Sequence, residues 1–453
     1  MDSIFRAYDL RGVYNEDLTA EVMLKVGLGL GEFIRRDIKG ESAAIGCDIR
    51  TSSEIMSNAL IAGLLSTGIK VYNAGMTSFG VTLFTGWKEG LDVSGYITAS
   101  HLTPEWNGLK LYYGDGVGFP EENFNKIHQI SKTGSAKQAD WDKIKRIEEL
   151  DYTQKYIEFM LDNFKPEREQ KVVLDCGNGS ACYTAPEIFS RLGTELTKLY
   201  CDIDPHFPNR ESEPTPESLT KLSELVVAES ADFGIAFDGD ADRGVIVDNS
   251  GRVLSADPVG ILLGIDILKE KKGVVLANVE SSMAVERVLE PLGATVNRIR
   301  VGHTFLTLEA KKQDAILGIE RSGHMIMPEY FLFDDAMVIP LRIAEILARS
   351  EKTLADLVDE LPNYPKSTKN YDFPDIKKFQ VIDNLKEKFS NEYDKVNTMD
   401  GVRVDLEHGW GLIRASNTSP VIRLTVEADS EVELGRLMGL FENELTAQFE
   451  LVK

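Results

Sequence analysis

Basic charge is what this 453-residue chain most lacks: 50 Lys and Arg stand against 73 Asp and Glu, for a net charge of −23. That balance argues against nucleic acid as a partner, because its phosphates need a basic face. It also requires any anionic ligand to find local cations or backbone N–H groups against an unfavourable overall field. Cysteine is scarce. Cys47, Cys176, Cys182 and Cys201 form no CxxC pair and suggest no zinc ligand set, so they read as reduced thiols of a cytoplasmic protein. No apolar run approaches the roughly 20 residues of a membrane span, and Met1–Arg6 lacks the apolar core of a signal peptide. No Walker loop is present, which argues against ATP as a phosphoryl source, and no Gly-x-Ser-x-Gly elbow marks a hydrolase nucleophile. What is there is an ordinary soluble composition, 43% hydrophobic and 27% charged, in a chain long enough for roughly three or four domains.

Within that length one design recurs. Ala43–Asp48, Lys171–Gly177 and Gly273–Asn278 each read as a strand. A helix follows each (52–67, 184–192 and 283–292), then a glycine stop at Gly68, Gly193 or Gly293, then a second strand. After another helix comes a third strand: Val93–Ile97, Phe233–Phe237 or Ala315–Ile319. The polar loops beginning at Ser100, Asp238 and Glu320 therefore occupy equivalent places in three copies of one α/β unit. In open α/β sheets ligands bind at that strand edge, so three such loops in register predict a shared cleft. Residues 19–38 read as a helix capped by Thr19; Gly27, Gly29 and Gly31 within it suit close helix packing. Asn178-Gly-Ser180 and Asn249-Ser-Gly251 read as turns, and Asp257-Pro258 as a helix start. Residues 362–373, with Pro362 and Pro365, read as a linker before a smaller α+β unit with three strands. The expected limits are 1–150, 151–252, 253–364 and 365–453.

The loops supply particular chemistry. Asp238, Asp240 and Asp242 alternate, and on an extended backbone they would project to one side. Carboxylates so close repel unless a cation neutralises them, and Mg²⁺ takes such oxygen ligands while leaving room for phosphate. An EF-hand is excluded, because its required Gly and Glu positions hold Arg243 and Asn249. Arg243 can bind a phosphate bridging to the metal, and Arg414, Ser416, Asn417 and Thr418 can cradle another. Glu320 and Ser322 can hydrogen-bond neighbouring sugar hydroxyls. His324 can contact a phosphate or move a proton, and His303 is ambiguous in the same way. Lys110 can hold a phosphoryl group or the reacting hydroxyl. A serine near a metal with phosphate cradles points to a serine that itself carries the phosphoryl group.

Taken together, these motifs resemble the α-D-phosphohexomutase superfamily, and most of all its phosphomannomutase/phosphoglucomutase branch. Phe5–Gly12 is similar to that branch's opening motif, Thr98–His101 to its phosphoserine loop and Asp238–Arg243 to its metal loop. Glu320–His324 is similar to its sugar loop and Arg414–Pro420 to its phosphate loop. The resemblance covers nearly the whole chain. It implies three similar α/β domains with mixed sheets plus a smaller C-terminal α+β domain around a central cleft. It also implies transfer of phosphate between O1 and O6 of mannose or glucose through a phosphoserine and a hexose 1,6-bisphosphate, which also serves as activator. Ser100, His101, Lys110, Arg11 and Arg243 would be catalytic, and Ser100, Asp238, Asp240 and Asp242 would hold Mg²⁺. Tyr8, His303, Glu320, Ser322, His324, Arg414, Ser416, Asn417 and Thr418 would bind the substrate. The expected partners are sugar phosphates, with no membrane and a monomer or small homo-oligomer.

Two departures stand out. The branch's serine loop commonly continues His-Asn-Pro, whereas here it reads His101-Leu102-Thr103 before Pro104. Glu280 stands where the branch often has a lysine, and a carboxylate there repels phosphate, which points to altered orientation or specificity. The rivals are a phosphoglucosamine mutase, a non-catalytic sugar-phosphate binder and a metal-dependent phosphatase.

Overall fold

The computed structural model describes residues 2–6, 8–415 and 420–452. It contains four sheets, and the three-fold design read from the sequence holds. In the second sheet Phe233–Phe237 lies beside Lys171–Asp175, which pairs in parallel with Glu195–Leu199, while Gly244–Asp248 runs antiparallel on its other side. The third sheet repeats this order with Ala315–Ile319, Gly273–Asn278, Ala294–Ile299 and the short antiparallel strand Met325–Ile326. The first sheet repeats it with Val93–Ile97, Ser42–Cys47, Lys70–Met76 and Trp106–Tyr113, and adds Leu10–Val13 and Glu148–Glu149 at its edges. Because the central strands are covered on both faces, they are nearly all apolar rather than alternating, Ser94 excepted: every residue of Val93–Ile97, Phe233–Phe237 and Ala315–Ile319 is buried.

The Thr19 hydroxyl accepts the Val22 N–H and caps the helix Ala20–Phe33, which continues as a wider π turn to Ile38. Its glycines serve packing: a Cβ on Gly27 would run into the Leu60 carbonyl, and one on Gly31 into the Thr67 hydroxyl. The segment read as a linker is more ordered than expected. Lys366–Asp372 forms an edge strand of the fourth sheet, antiparallel to Val421–Ala428. Its sequence shows no apolar alternation because edge strands with an open face need none. That sheet continues through Gly409–Ala415, Val402–Leu406 and Val396–Asn397 and carries the helices Asp375–Glu392 and Glu431–Val452.

The cores divide the molecule unequally. One apolar cluster runs without a break through the first three domains, from Phe79, Tyr96 and Tyr112 through Phe233 and Phe237 to Leu317 and Ile339. The fourth domain has its own core around Phe389, Leu424 and Phe441. It meets the third through a small patch of Val279, Met283, Trp410 and Leu412. Polar bonds to backbone dominate the rest of that contact: Arg403 donates to the Val279 and Ser281 carbonyls, and Glu427 accepts from Met283 N and Trp410 Nε1. Among the described residues no helix is long and apolar enough to cross a membrane.

Candidate active site

The serine loop leaves the sheet edge by a turn that costs backbone strain. Ser100 has φ of +52°, a left-handed conformation that side chains with a Cβ resist. Its N–H is fixed by Thr98 Oγ1 at 2.8 Å, and its Oγ donates to Asp238 Oδ2 at 3.0 Å. Below it lies an arginine that sequence reasoning missed. Arg50, fully buried, donates to the carbonyls of Ser100 (2.8 Å), Leu102 (2.6 Å), Thr103 (2.5 Å) and Trp106 (3.3 Å). Its Nε pairs with Asp48 at 3.0 Å. Asp48 also accepts from Thr98 Oγ1 and Ser53 Oγ. The available signal was positional: Asp48, Asp175 and Asn278 stand at equivalent strand ends in the three copies. The departure at Leu102-Thr103 leaves this support intact, because Arg50 holds main-chain oxygens that any residue supplies.

The three aspartates do converge, with carboxylate oxygens within 4.8 Å of one another, but not on an extended backbone as alternation suggested. The loop is a tight turn in which Ala241 has φ of +71°. Asp238 Oδ1 accepts the Ala241 and Arg243 N–H groups. Lys110 reaches in from the first domain and pairs with Asp240 at 2.8 Å and with Asp242. Burial alone would depress the Lys110 ammonium, but the carboxylates outweigh it and hold it above its usual range. Burial and the mutual repulsion of the carboxylates push Asp238 and Asp240 up. Asp240 Oδ1 and Asp242 Oδ1 are buried without hydrogen-bond partners among the described residues. All-oxygen donors, excess negative charge and two unsatisfied oxygens fit a hard divalent cation such as Mg²⁺.

His101 Nδ1 lies 3.4 Å from Ser100 Oγ. Burial, then Arg243, Arg11 and Lys110, drive its pKa down to about 2, so the imidazole is neutral. Arg11 is held by Asp9 at 2.7 Å.

The loop that begins at Glu320 places its candidate residues differently. Glu320 and Ser322 face the cleft: Ser322 Oγ donates to Glu320 Oε1 at 2.7 Å, and Gly302 N–H to Oε2 at 3.0 Å. His324 instead points inward. It is buried, with Nδ1 2.7 Å from Asp334 and Nε2 accepting Arg243 Nε at 3.0 Å. His303 stacks on it at 5.4 Å and shares its Nδ1 with the Tyr112 hydroxyl at 3.0 Å. His324 thus lies against Arg243, whereas His303 Nε2 is buried with no hydrogen-bond partner among the described residues. Tyr8 packs edge-on against His303 at 5.5 Å. Asp334, which fixes His324, also escaped sequence reasoning because it follows an apolar aromatic run.

Across the cleft, Arg414 is not free. It pairs with Asp400 at 3.0 Å and with Glu280 of the third domain. Ser416, Asn417 and Thr418 lie outside the described residues. Arg321 lines the cleft beside Glu280, Glu320 and Ser322 and has no hydrogen-bond partner among the described residues.

Known proteins resemble this chain along its whole length. Sequence profiles described as phosphoglucomutase/phosphomannomutase domains I, II and III and the C-terminal domain match residues 2–138, 152–251, 255–364 and 369–443. A probable phosphoglucosamine mutase of Methanopyrus kandleri is 35% identical over 447 residues, 97% of each chain. A phosphomannomutase/phosphoglucomutase of Pseudomonas aeruginosa is 34% identical, covering 98% of this chain and 96% of its own. The crystal structure of a family protein from Burkholderia thailandensis superposes with a TM-score of 0.92 at 29% identity, covering 100% of this chain and 99% of its own. With four domains matched in order and relatives aligned from end to end, the chain belongs to the phosphoglucomutase/phosphomannomutase family.

Proposed function

We propose that this protein is a phosphohexomutase interconverting the 1- and 6-phosphates of mannose and glucose, an intramolecular phosphotransferase of the isomerase class. One observation carries the reading: the strained Ser100 hydroxyl stands 3.0 Å from a cluster of three buried carboxylates, with Lys110 inserted among them. A hydrolase serine needs a base; a phosphoryl-carrying serine needs charge neutralisation, and these groups provide it.

Phosphorylated Ser100 donates to a sugar hydroxyl. The P–O bond to the sugar forms, the Oγ–P bond breaks, and the proton lost by the sugar hydroxyl ends on Ser100 Oγ. Lys110, Arg11 and Arg243 stabilise charge on the transferring group, with Arg243 aligned by His324 and Asp334 behind it. Neutral His101, beside Oγ, can hydrogen-bond the serine oxygen and help to orient it. Reversal of the bisphosphate in the cleft returns the other phosphate to Ser100. Asp238, Asp240, Asp242 and the Ser100 phosphate would hold Mg²⁺, which when bound neutralises charge on the phosphoserine. Glu320 and Ser322 hold ring hydroxyls, Tyr8 packs at the rim, and Arg414 with Ser416, Asn417 and Thr418 takes the distal phosphate. The domains run 1–150, 151–252, 253–364 and 365–453, hexose 1,6-bisphosphate primes the enzyme, and the site of action is the cytoplasm.

The test is intact mass with peptide mapping of the Ser100 segment. We expect an added phosphoryl group of about 80 Da, lost on mixing with hexose phosphate. A serine left unmodified by glucose 1,6-bisphosphate and Mg²⁺ would sink the reading. The Methanopyrus kandleri relative favours a second reading, phosphoglucosamine mutase. Assaying glucosamine 6-phosphate beside mannose 1-phosphate separates the two.

A further inference from the structure

A cavity of about 420 Å³ lies away from the serine, where the third domain, the segment 361–366 and the fourth domain meet. That volume is in the range of small-molecule sites. One wall is apolar, formed by Leu254, Pro258, Ile261, Leu361 and Tyr364. The lining also carries polar side chains with bonding capacity left over. Lys366 Nζ makes one hydrogen bond, to the Glu280 carbonyl at 2.7 Å, and lies 5.0 Å from the Trp410 ring centre. Burial lowers its pKa to about 8, so the ammonium is poorly compensated where it stands. Arg321 lines the same cavity and has no partner among the described residues. Asp257 Oδ2 accepts the Ser282 N–H at 2.9 Å, but Oδ1 is buried with no partner. The other charges on the wall are committed: Arg252 to Asp248 and Asp359, and Glu427 to Met283 N and Trp410.

A buried lysine with one hydrogen bond, an arginine with no partner among the described residues, one unsatisfied acceptor and several apolar side chains together define a ligand. We propose that this cavity binds a small ring-bearing oxyanion, a carboxylate or phosphate monoester, that also carries a hydroxyl. The oxyanion meets Lys366 and Arg321, the hydroxyl donates to Asp257 Oδ1, and the ring lies on the apolar wall. Through Arg321, which lines both spaces, the site shares a wall with the central cleft. The site is distinct from the sugar-phosphate cleft and does not depend on how that cleft works.

Calorimetric titration of the full chain with 4-hydroxyphenyl phosphate and 4-hydroxybenzoate tests this. At least one probe binds, and the stronger identifies the oxyanion. Lys366→Met removes the cation. Val358→Trp fills the cavity while leaving Lys366 in place, so either variant that still melts cooperatively decides the matter. Each weakens binding by about tenfold or more. Affinity unchanged in a folded variant, or no heat with either probe at millimolar concentration, overturns the site; binding that survives both substitutions belongs to the central cleft.

Discussion

The two sides of the cleft are built differently. On the side of the first two domains, Ser100, Asp238, Asp240, Lys110 and Arg50 are all buried, and they are joined by short bonds over a core that continues from one domain into the next. On the side of the third and fourth domains, Arg414 is bound to two carboxylates, Arg321 has no partner among the described residues, and the two cores are separate. A group that must hold a reacting atom gains from being fixed in advance. A group that must capture and release a charged ligand is better built from ion pairs that the ligand can replace. Under the proposed function, the first side is built for chemistry and the second for recognition.

Experiments that remove one side's support should sharpen this contrast. The largest effect is expected from Ser100→Ala, which leaves no phosphoryl carrier; turnover of mannose 1-phosphate falls by about 10⁴-fold or more, and the protein remains folded. Stripping divalent ions with EDTA comes next: activity disappears and returns with Mg²⁺, whereas binding of sugar phosphate changes little. Arg50→Met breaks a buried pair and leaves carbonyls unpaired, so urea unfolding shifts by about 3–5 kcal/mol. Leu102→Asn, in the loop that Arg50 holds only by its main chain, changes stability by less than about 0.5 kcal/mol. An equal loss in both would break the claim that the loop is held through its carbonyls.

On the recognition side the expected effect is smaller and opposite in sign. Glu280→Gln releases Arg414 from one competitor, and KM for a hexose phosphate falls by about three- to tenfold with kcat little changed. A raised KM would mean that Glu280 itself contacts substrate. The smallest difference lies in pH dependence. Burial raises Asp335, bonded to the Tyr156 hydroxyl, to about 7. The folded state then keeps a proton that the unfolded chain has lost, so this residue's contribution declines as pH rises from about 4 to about 7. Lys366, lowered to about 8, acts in the other window: the unfolded chain holds the extra proton, and stability rises with pH from about 8 to about 10.5. Unfolding midpoints of Asp335→Asn and Lys366→Met against pH check both, each substitution flattening its own window alone.

Much of this was legible in the sequence. The apolar strands Val93–Ile97, Phe233–Phe237 and Ala315–Ile319 carry their burial in their composition, and loops of Ser, Asp and Glu after them mark one sheet edge. Lys110 was legible as a candidate but not as the residue inserted among the aspartates, since its partners lie about 130 positions further on. Arg50 gave no motif, because what it binds is backbone. His303 and His324 read as substrate contacts, and only the structure shows their neighbours: Tyr112 beside His303, and Asp334 and Arg243 beside His324. Lys366–Asp372 read as a linker because the strand that makes it part of a sheet, Val421–Ala428, lies some fifty residues away.

The sequence by itself determined the repeat, the three loops at one edge and the kind of group each offers, because periodicity and residue chemistry are local properties. Tertiary structure alone decided the left-handed turns at Ser100 and Ala241, the inward histidines, the arginine beneath the serine loop and the carboxylates holding Arg414. Each of these depends on which distant atom can satisfy a buried polar group, and that is settled only when separate stretches of chain meet.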